Sequence, residues 1–216
     1  LGLGAGNVEL ENRAHGIDPG RTLGERLDWF EEALAIVVAL IGGREVSHRS
    51  EKYSFDAVRH APGPFGDRIP VVIGADGEKR GLRLAARHAD IWQWFAPWDG
   101  VELFRHKDSV LRRHASDEGR DAATIERMIG AKLVLRTDSG DARRVAEELV
   151  AIHGWGPSVW DAVWATTPEL ATERLLEFAA AGVGSFSPQI GWPYDSETIE
   201  RLIGEVGPAV TTAIRR

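Results

Sequence analysis

The 216-residue sequence has no cysteine and a single methionine, Met128. Without cysteine there is no disulfide framework, no thiolate nucleophile and no cysteine-based zinc site, and nothing points to an oxidising compartment. Long apolar runs are also lacking. No window approaches the roughly 20 uninterrupted apolar residues that cross a bilayer, and the apolar start LGLGA has no basic flank of the kind a signal peptide carries. A soluble, cytoplasmic protein with no membrane partner is the expectation. Lys and Arg are interspersed with an excess of Asp and Glu, for a formal net charge of −7. That pattern has no continuous basic stripe and argues against a nucleic-acid surface. The seven histidines include no H-E-x-x-H and no close pair on one helical face, so no metal site is expected. Ser185 and Ser187 stand without a G-x-S-x-G elbow, which leaves nucleophilic hydrolysis unsupported.

What is present is a repeated strand-then-helix pattern, clearest from Pro70 to Trp94, PVVIGADGEKRGLRLAARHADIWQW. Val71, Val72 and Ile73 read as a buried strand, Gly74 to Gly77 as a glycine-bearing turn, Glu78 as a helix start and Ala89 as the approach to a second strand. In a parallel α/β sheet such a turn lies at the carboxyl edge of the strands. The free N–H groups and positive dipole end of the next helix favour an anion there. The same strand-turn-helix connection occurs in any α/β protein, and Asp76 would repel a phosphate unless it points away.

Leu1 to Ala5 suits a short parallel strand, followed by a Gly6, Asn7 loop whose backbone can approach a ligand. Its G-x-G-x-G spacing is not the dinucleotide fingerprint. Glu9 and Glu11 are paired carboxylates near a strand end that could do acid/base work, but on a short polar helix they read as solvated. Thr22 to Ile41 is a helix: Thr22 and Glu25 form a capping box, Leu27, Phe30, Leu34, Val37 and Ile41 recur at helical spacing, and Gly42, Gly43 end it. Arg44 to Phe55 suggests a small hairpin, and Ala61 to Pro70 a Pro/Gly loop. After Ala96 to Asp99 a helix runs to about Ser116, then a helical turn covers Asp121 to Met128 and a strand Gly130 to Arg136. Asp141 to His153 is an amphipathic helix. Trp160 and Trp164, four apart, fit one helical face or an aromatic lid together with Trp155 and Trp192. Thr167, Pro168 and Glu169 start a helix that ends near Gly182, Gly184 to Ile190 is a strand, and Ser196 to Arg215 a last helix.

Strands near residues 1, 71, 90, 131 and 184 with helices between them imply a parallel sheet with right-handed crossovers. A closed barrel of eight such units takes about 250 residues. The expected fold is therefore α/β, a TIM (β/α)8 barrel represented by its later strands in a single domain over residues 1–216, with an open doubly wound sheet as the alternative.

The segments LGLGAG, GERLDWFEEAL, PVVIGADGEKRGLRLAARHADIWQ and TTPELATERLLEFAAAGVGSF, in that order and spacing, resemble the luciferase-like monooxygenase family, in particular its branch that uses the deazaflavin coenzyme F420. The resemblance implies a TIM barrel with Leu1 at its fourth strand, so that strands four to eight are present and about 90 to 100 residues of a whole barrel are not. It implies a cofactor across the carboxyl-end mouth. Gly74, Ala75, Asp76 and Gly77 correspond to the turn that receives its phosphate, and Gly4, Ala5, Gly6 and Asn7 to the loop near its ring and ribityl chain. The family usually has Gly where Ala75 stands, Gly or Ser in place of Asp76 and often Trp in place of Asn7. Lys79 and Arg80 follow the turn as possible counter-charges.

Hydride chemistry resides in the cofactor, so the protein must supply a rigid slot more than a reactive side chain. Gln93 and Trp94 are the candidate substrate-pocket residues. Strand alternation puts Trp92 and Trp94 on one side and Gln93 on the other. If the tryptophans face the helices they are core, and Gln93 then points into the barrel. No residue is singled out as catalytic acid or base. The expected activity is F420-dependent hydride transfer to or from a small organic substrate. The alternatives are an FMN-dependent monooxygenase and a catalytically silent barrel. Exposed sheet edges lead to the expectation of a homodimer.

Overall fold

The alternation of apolar strand runs with capped helices folds as the pattern implies. The structure, a computed structural model, describes residues 1–6, 9–18, 20–66, 68–154 and 156–215, with backbone only at residues 9–11. The chain forms two compact units, Leu1–Trp92 with Val110–Ile125, and Gln93–Ser109 with Glu126–Arg216.

In the first unit, β1 (Gly2–Leu3) pairs in parallel with β4 (Val72–Gly74). The opening residues of β5 (Ile91–Phe95) follow β4, with the Asp90 and Ile91 N–H groups donating to the Val71 carbonyl. A short helix, α1 (Glu9–Ala14), follows β1. α2 (Leu23–Ile41) begins where the capping pattern requires: the Thr22 hydroxyl accepts from the Glu25 N–H, and Glu25 accepts from the Arg21 N–H at 2.7 Å. Leu34, Ile36 and Ala39 are its buried positions. The expected hairpin is β2 (Val46–Arg49) against β3 (Ser54–Val58). α3 (Gly81–His88) starts three residues later than its sequence suggests, after a turn over 78–80, and buries Leu82, Leu84, Ala85 and Ala86. Asp90 ties β4 to β5: one carboxylate oxygen accepts from the Val71 N–H at 2.8 Å, the other from Arg68 at 2.5 Å. Burial opposes ionisation there, yet the Arg68 and Val71 hydrogen bonds hold the Asp90 carboxyl below its ordinary range.

α4 (Val101–Asp117) and β5 are each divided between the units. The second unit is built on β6 (Glu126–Leu135), paired in parallel with β7 (Val163–Thr166) over Lys132 to Leu135 and with β8 (Ser185–Gln189) over Met128 to Lys132. Its helices are α5 (Ser139–His153), α6 (Pro168–Ala180), α7 (Ser196–Arg201) and α8 (Gly207–Ile214). The core is aromatic. Trp164 stacks on Phe178 and Phe186 and meets Trp98 edge-on, Phe104 packs edge-on against Phe178 and tilts against Trp94, and the Trp164 indole donates to the Ala96 carbonyl at 3.0 Å.

Three local expectations need correction. The helical turn expected over Asp121 to Met128 is a 3-10 turn at Ala122–Thr124, and β6 starts at Glu126. Arg127 hides the strand by its charge, which is buried against Asp108 at 2.7 Å. Trp160 and Trp164 share no helical face: Trp160 lies in a 3-10 turn under the Arg143 guanidinium, whereas Trp164 belongs to β7, a strand absent from the sequence reading. The last helix is interrupted by a π-helical turn at Leu202–Val206. Pro208, lacking an N–H, cannot continue the regular ladder there.

Candidate functional site

Within the first unit the parallel register sets Gly2 opposite Val72 and Leu3 opposite Ile73. Gly4 therefore comes alongside Gly74, where a β-carbon added at Gly4 would lie 3.9 Å from the Gly74 carbonyl oxygen. The two glycine-bearing turns leave neighbouring strands side by side at their carboxyl ends, the edge at which parallel α/β folds bind ligands. Added β-carbons at Gly74 and Gly77 would meet nothing within 4 Å, so the backbone of this turn is open to close approach. Behind it the packing is tight. A β-carbon at Gly81 would lie 3.3 Å from that of Ala75, the Leu82 N–H donates to the Gly77 carbonyl at 3.0 Å, and the fully buried Trp92 donates its indole N–H to the Ala75 carbonyl at 2.8 Å. Sequence reading weighed Trp92 only as core or substrate contact; its indole also fixes the turn.

The charges around the turn are divided. Arg80 is engaged by α2, at 2.7 Å from Asp28 and 3.3 Å from Glu31, while Asp76, next to Gly77, and Lys79 are exposed. In the other turn the Gly6 carbonyl accepts from Arg26 at 3.0 Å. Gly4, Ala5 and Gly6 also border a cavity of about 370 Å3 whose opposite wall includes Trp29, Phe30 and Tyr53. Asn7 lies outside the described residues, as does Trp155, and nothing is described of the Glu9 and Glu11 side chains.

Gln93 and Trp94 belong to the second unit and face opposite sides of β5. Trp94 is 4% exposed and packs on Phe104 of α4, which gives it a core position on the helix-facing side. Gln93 takes the other side, where its amide nitrogen would lie 3.2 Å from a β-carbon added at Gly130 of β6. Lys132 of β6, which the sequence reading did not single out, holds its ammonium 2.9 Å from the Gln189 side-chain oxygen and 5.4 Å from the centre of the Phe95 ring. Burial keeps that ammonium's pKa below the ordinary lysine value. A lysine opening the apolar run LVL at the end of β6 was the available signal. Of the tryptophans weighed as a lid, Trp164 is core and Trp192 is 66% exposed after β8. At the end of β6, Arg136 pairs with Asp195 at 3.0 Å. The Thr198 hydroxyl accepts from the Leu135 N–H and donates to Asp195. Among the described residues no group of three or more His, Asp or Glu side chains could hold a metal ion, and no helix is long and apolar enough to cross a membrane.

The family model for luciferase-like monooxygenases matches residues 1–185. No curated protein sequence matches the chain. Among solved structures, an F420-dependent secondary alcohol dehydrogenase in complex with an F420-acetone adduct is similar at a TM-score of 0.77 and 18% identity, over 97% of this chain and 69% of that one. The coenzyme F420-dependent tetrahydromethanopterin reductase from Methanopyrus kandleri is similar at 0.70 and 16%, over 96% and 73%. The oxygenating constituent of 3,6-diketocamphane monooxygenase from Pseudomonas putida, in complex with FMN, is similar at 0.65 and 17%, over 97% and 70%. These likenesses show the fold: an α/β TIM barrel of the luciferase-like type, of which the chain spans about seven tenths.

Proposed function

Because the chain belongs to the luciferase-like monooxygenase family, whose similar structures are oxidoreductases and monooxygenases, we propose that it is an F420-dependent oxidoreductase moving a hydride to or from a small organic substrate. The observation that carries the cofactor assignment is the juxtaposition of Gly4 and Gly74, which aligns two open glycine turns on one strand edge. In this reading Gly74, Ala75, Asp76 and Gly77 receive the cofactor phosphate on backbone N–H groups, and Gly4, Ala5, Gly6 and Asn7 border its ring and ribityl chain. Backbone donors suit that task, since they are fixed in place by the Trp92 and Gly81 packing behind the turn. Gln93 reaches the substrate, and Trp94 supports the strand from the helix side. The deazaflavin, when bound, supplies the hydride chemistry; the chain's residues hold, orient and shield. A homodimer of single-domain chains in the cytoplasm is part of the same proposal.

Two of the similar structures are F420-dependent, while another holds FMN, so an FMN-dependent monooxygenase is the second reading. Titration of the purified protein with F420 and with FMN, followed by fluorescence, separates them. Saturable F420 binding, with FMN weaker by about tenfold or more, that is by about 1.4 kcal/mol, is the expected result. Tight FMN binding without an F420 response makes the protein a flavin enzyme, and no response to either supports a catalytically silent barrel. Sedimentation velocity tests the dimer.

A further inference from the structure

Strands of a parallel sheet are normally apolar on both faces, because both are covered. In the second unit one face obeys this rule: Trp94, Ile129 and Trp164 are buried, Trp94 packs on Phe104, and Trp164 stacks on Phe178 and Phe186. The alternate positions on the same strands read Gln93 and Phe95 on β5, Gly130 and Lys132 on β6, and Ser187 and Gln189 on β8. The register puts Gly130 beside Ser187 and Lys132 beside Gln189. The chain has two glutamines, Gln93 and Gln189, and both stand on this polar face. Uncharged amides, each able to donate and to accept, thus occupy positions where an ordinary sheet carries Val, Ile or Leu.

The two amides differ in what engages them. The Gln189 side-chain oxygen accepts from the Lys132 ammonium at 2.9 Å. Gln93, half-buried, makes no hydrogen bond through its side chain to another described residue. It is nonetheless held in place. A β-carbon added at Gly130 would lie 3.2 Å from the Gln93 amide nitrogen, 3.3 Å from the Ser187 carbonyl oxygen and 3.5 Å from the Phe95 ring, so the amide lies over the position of β6 that has no side chain. The Ala96 N–H donates to the Gly130 carbonyl at 2.8 Å and keeps β5 close to β6 at this point. A larger residue in place of Gly130 would push the amide away, because the Ser187 carbonyl beside it belongs to the backbone and yields little. Next to the amide stands the ring of Phe95, the last residue of β5, 37% exposed. A fixed amide with both hydrogen-bonding ends available, beside an open aromatic ring at the carboxyl end of its strand, has the make-up of a ligand seat.

We propose that Gln93 recognises a neutral oxygen, a hydroxyl or a carbonyl, of the small-molecule substrate, that the substrate's apolar body rests against the Phe95 ring, and that Gly130 is the positioning residue that makes room for the amide. The inference deepens the proposed function by giving the substrate class, and it rests on that reading only for the word substrate. A hydroxyl donates to the amide oxygen or accepts from the amide nitrogen, and a carbonyl accepts from the nitrogen, so one uncharged side chain serves both. A hydrocarbon in the same place strips water from the amide and offers it no partner, which costs affinity. A carboxylate only accepts, and its charge loses more on leaving water than one neutral hydrogen bond returns.

The test uses the whole protein, isotope-labelled for NMR. Its glutamines, Gln93 and Gln189, give side-chain amide signals that are told apart by the loss of one set in Gln93→Leu. Benzyl alcohol, acetophenone, toluene, benzoate and benzylammonium share one aromatic frame and differ in the group it carries. Each is titrated against wild type, Gln93→Leu and Gly130→Ala, with F420 and FMN titrated in parallel. Benzyl alcohol or acetophenone is expected to shift the Gln93 amide signals saturably and to bind the wild type about threefold to tenfold more tightly than toluene or the charged probes, the worth of one neutral hydrogen bond. In Gln93→Leu the preference over toluene is expected to vanish, whereas a general loosening would weaken every probe alike. Gly130→Ala should move the Gln93 signals before any probe is added and shrink the same preference. No shift at Gln93 in the wild type, toluene or benzoate binding as tightly as the alcohol and the ketone, or a preference that survives in Gln93→Leu each overturns the proposal. Weaker F420 or FMN binding in Gln93→Leu overturns it in favour of a cofactor contact. Failure of the wild type to bind either cofactor, with the Gln93-dependent preference intact, refutes the redox reading and leaves the oxygen seat standing.

Discussion

Replacing Trp92 with Phe tests whether the candidate phosphate turn is held from behind. Trp92 is fully buried, and its indole N–H reaches the Ala75 carbonyl at 2.8 Å. Phe keeps an aromatic ring in the site but cannot donate, so the Ala75 carbonyl loses its partner. An orphaned, partly buried acceptor costs about 1–2 kcal/mol. The smaller ring also leaves a void of roughly 40 Å3, which at about 24 cal/mol per Å3 adds about 1 kcal/mol. The expected destabilisation is therefore about 2–3 kcal/mol, read as a lower urea midpoint at unchanged slope. If the indole also fixes the geometry of Gly74 to Gly77, cofactor affinity falls by about tenfold, a further 1.4 kcal/mol expressed only on binding. Trp164→Phe is the control. It removes an indole hydrogen bond of the same kind, to Ala96 at 3.0 Å in the other unit, and is expected to lower stability by a similar amount while leaving cofactor affinity unchanged. Equal affinity loss in both variants would mean that the effect is general loosening. A Trp92→Phe protein within about 0.5 kcal/mol of wild type in stability and unchanged in affinity would refute the reasoning.

Other expectations concern charge. Asp76→Gly should strengthen cofactor binding if the carboxylate faces the phosphate, and an unchanged or weaker affinity in the same titration would show that it points elsewhere. The folded Asp90 carboxyl is held below its ordinary pKa by Arg68 and Val71 despite burial, so its contribution is present above the unfolded value of about 3.9 and lost as pH falls through the folded one. Asp90→Asn should accordingly lower stability at neutral pH and flatten the acid limb of the stability profile; parallel profiles would sink the idea. Breaking the buried Arg127–Asp108 pair by Asp108→Ala should cost about 3–5 kcal/mol in urea unfolding, because Arg127 is then a buried charge without its carboxylate. Thr198→Val should cost about 1–3 kcal/mol, since the Leu135 N–H loses its acceptor inside the protein.

The elements legible in the sequence were those whose signals are local. Thr22 with Glu25 and the following glycines fix α2, Thr167 with Pro168 starts α6, and the Val71 to Ile73 run with its glycine turn gives β4 and the approach to α3. The strands that were misread owe their placement to partners distant in sequence. β7 is four residues long, follows a 3-10 turn, and is a strand because Val163 to Thr166 find a ladder on Lys132 to Leu135. The first residues of β6 look polar, and Arg127 is buried there because Asp108, nineteen positions away on a helix, pairs with it. No periodicity within a window records either fact.

The candidate site divides in the same way. A glycine turn after a buried strand is a local pattern, and Gly74 to Gly77 could be read directly. That Gly4 stands beside Gly74 follows only from the parallel register of β1 and β4. The polar face was less accessible still. Each strand contributes only one or two of its members, and within its own segment each looks incidental: a glutamine between tryptophans, a lysine before Leu133, a serine beside Phe186. Pairing β6 with β8 places Lys132 next to Gln189, and removing a side chain at Gly130 lets Gln93 approach β6 from β5. The aromatic side of the same strands explains why this face is free to be polar. Trp94, Trp164, Phe104 and Phe178 are buried on the helix side, where Phe186 stacks on Trp164, so the apolar packing of these strands is concentrated on that face.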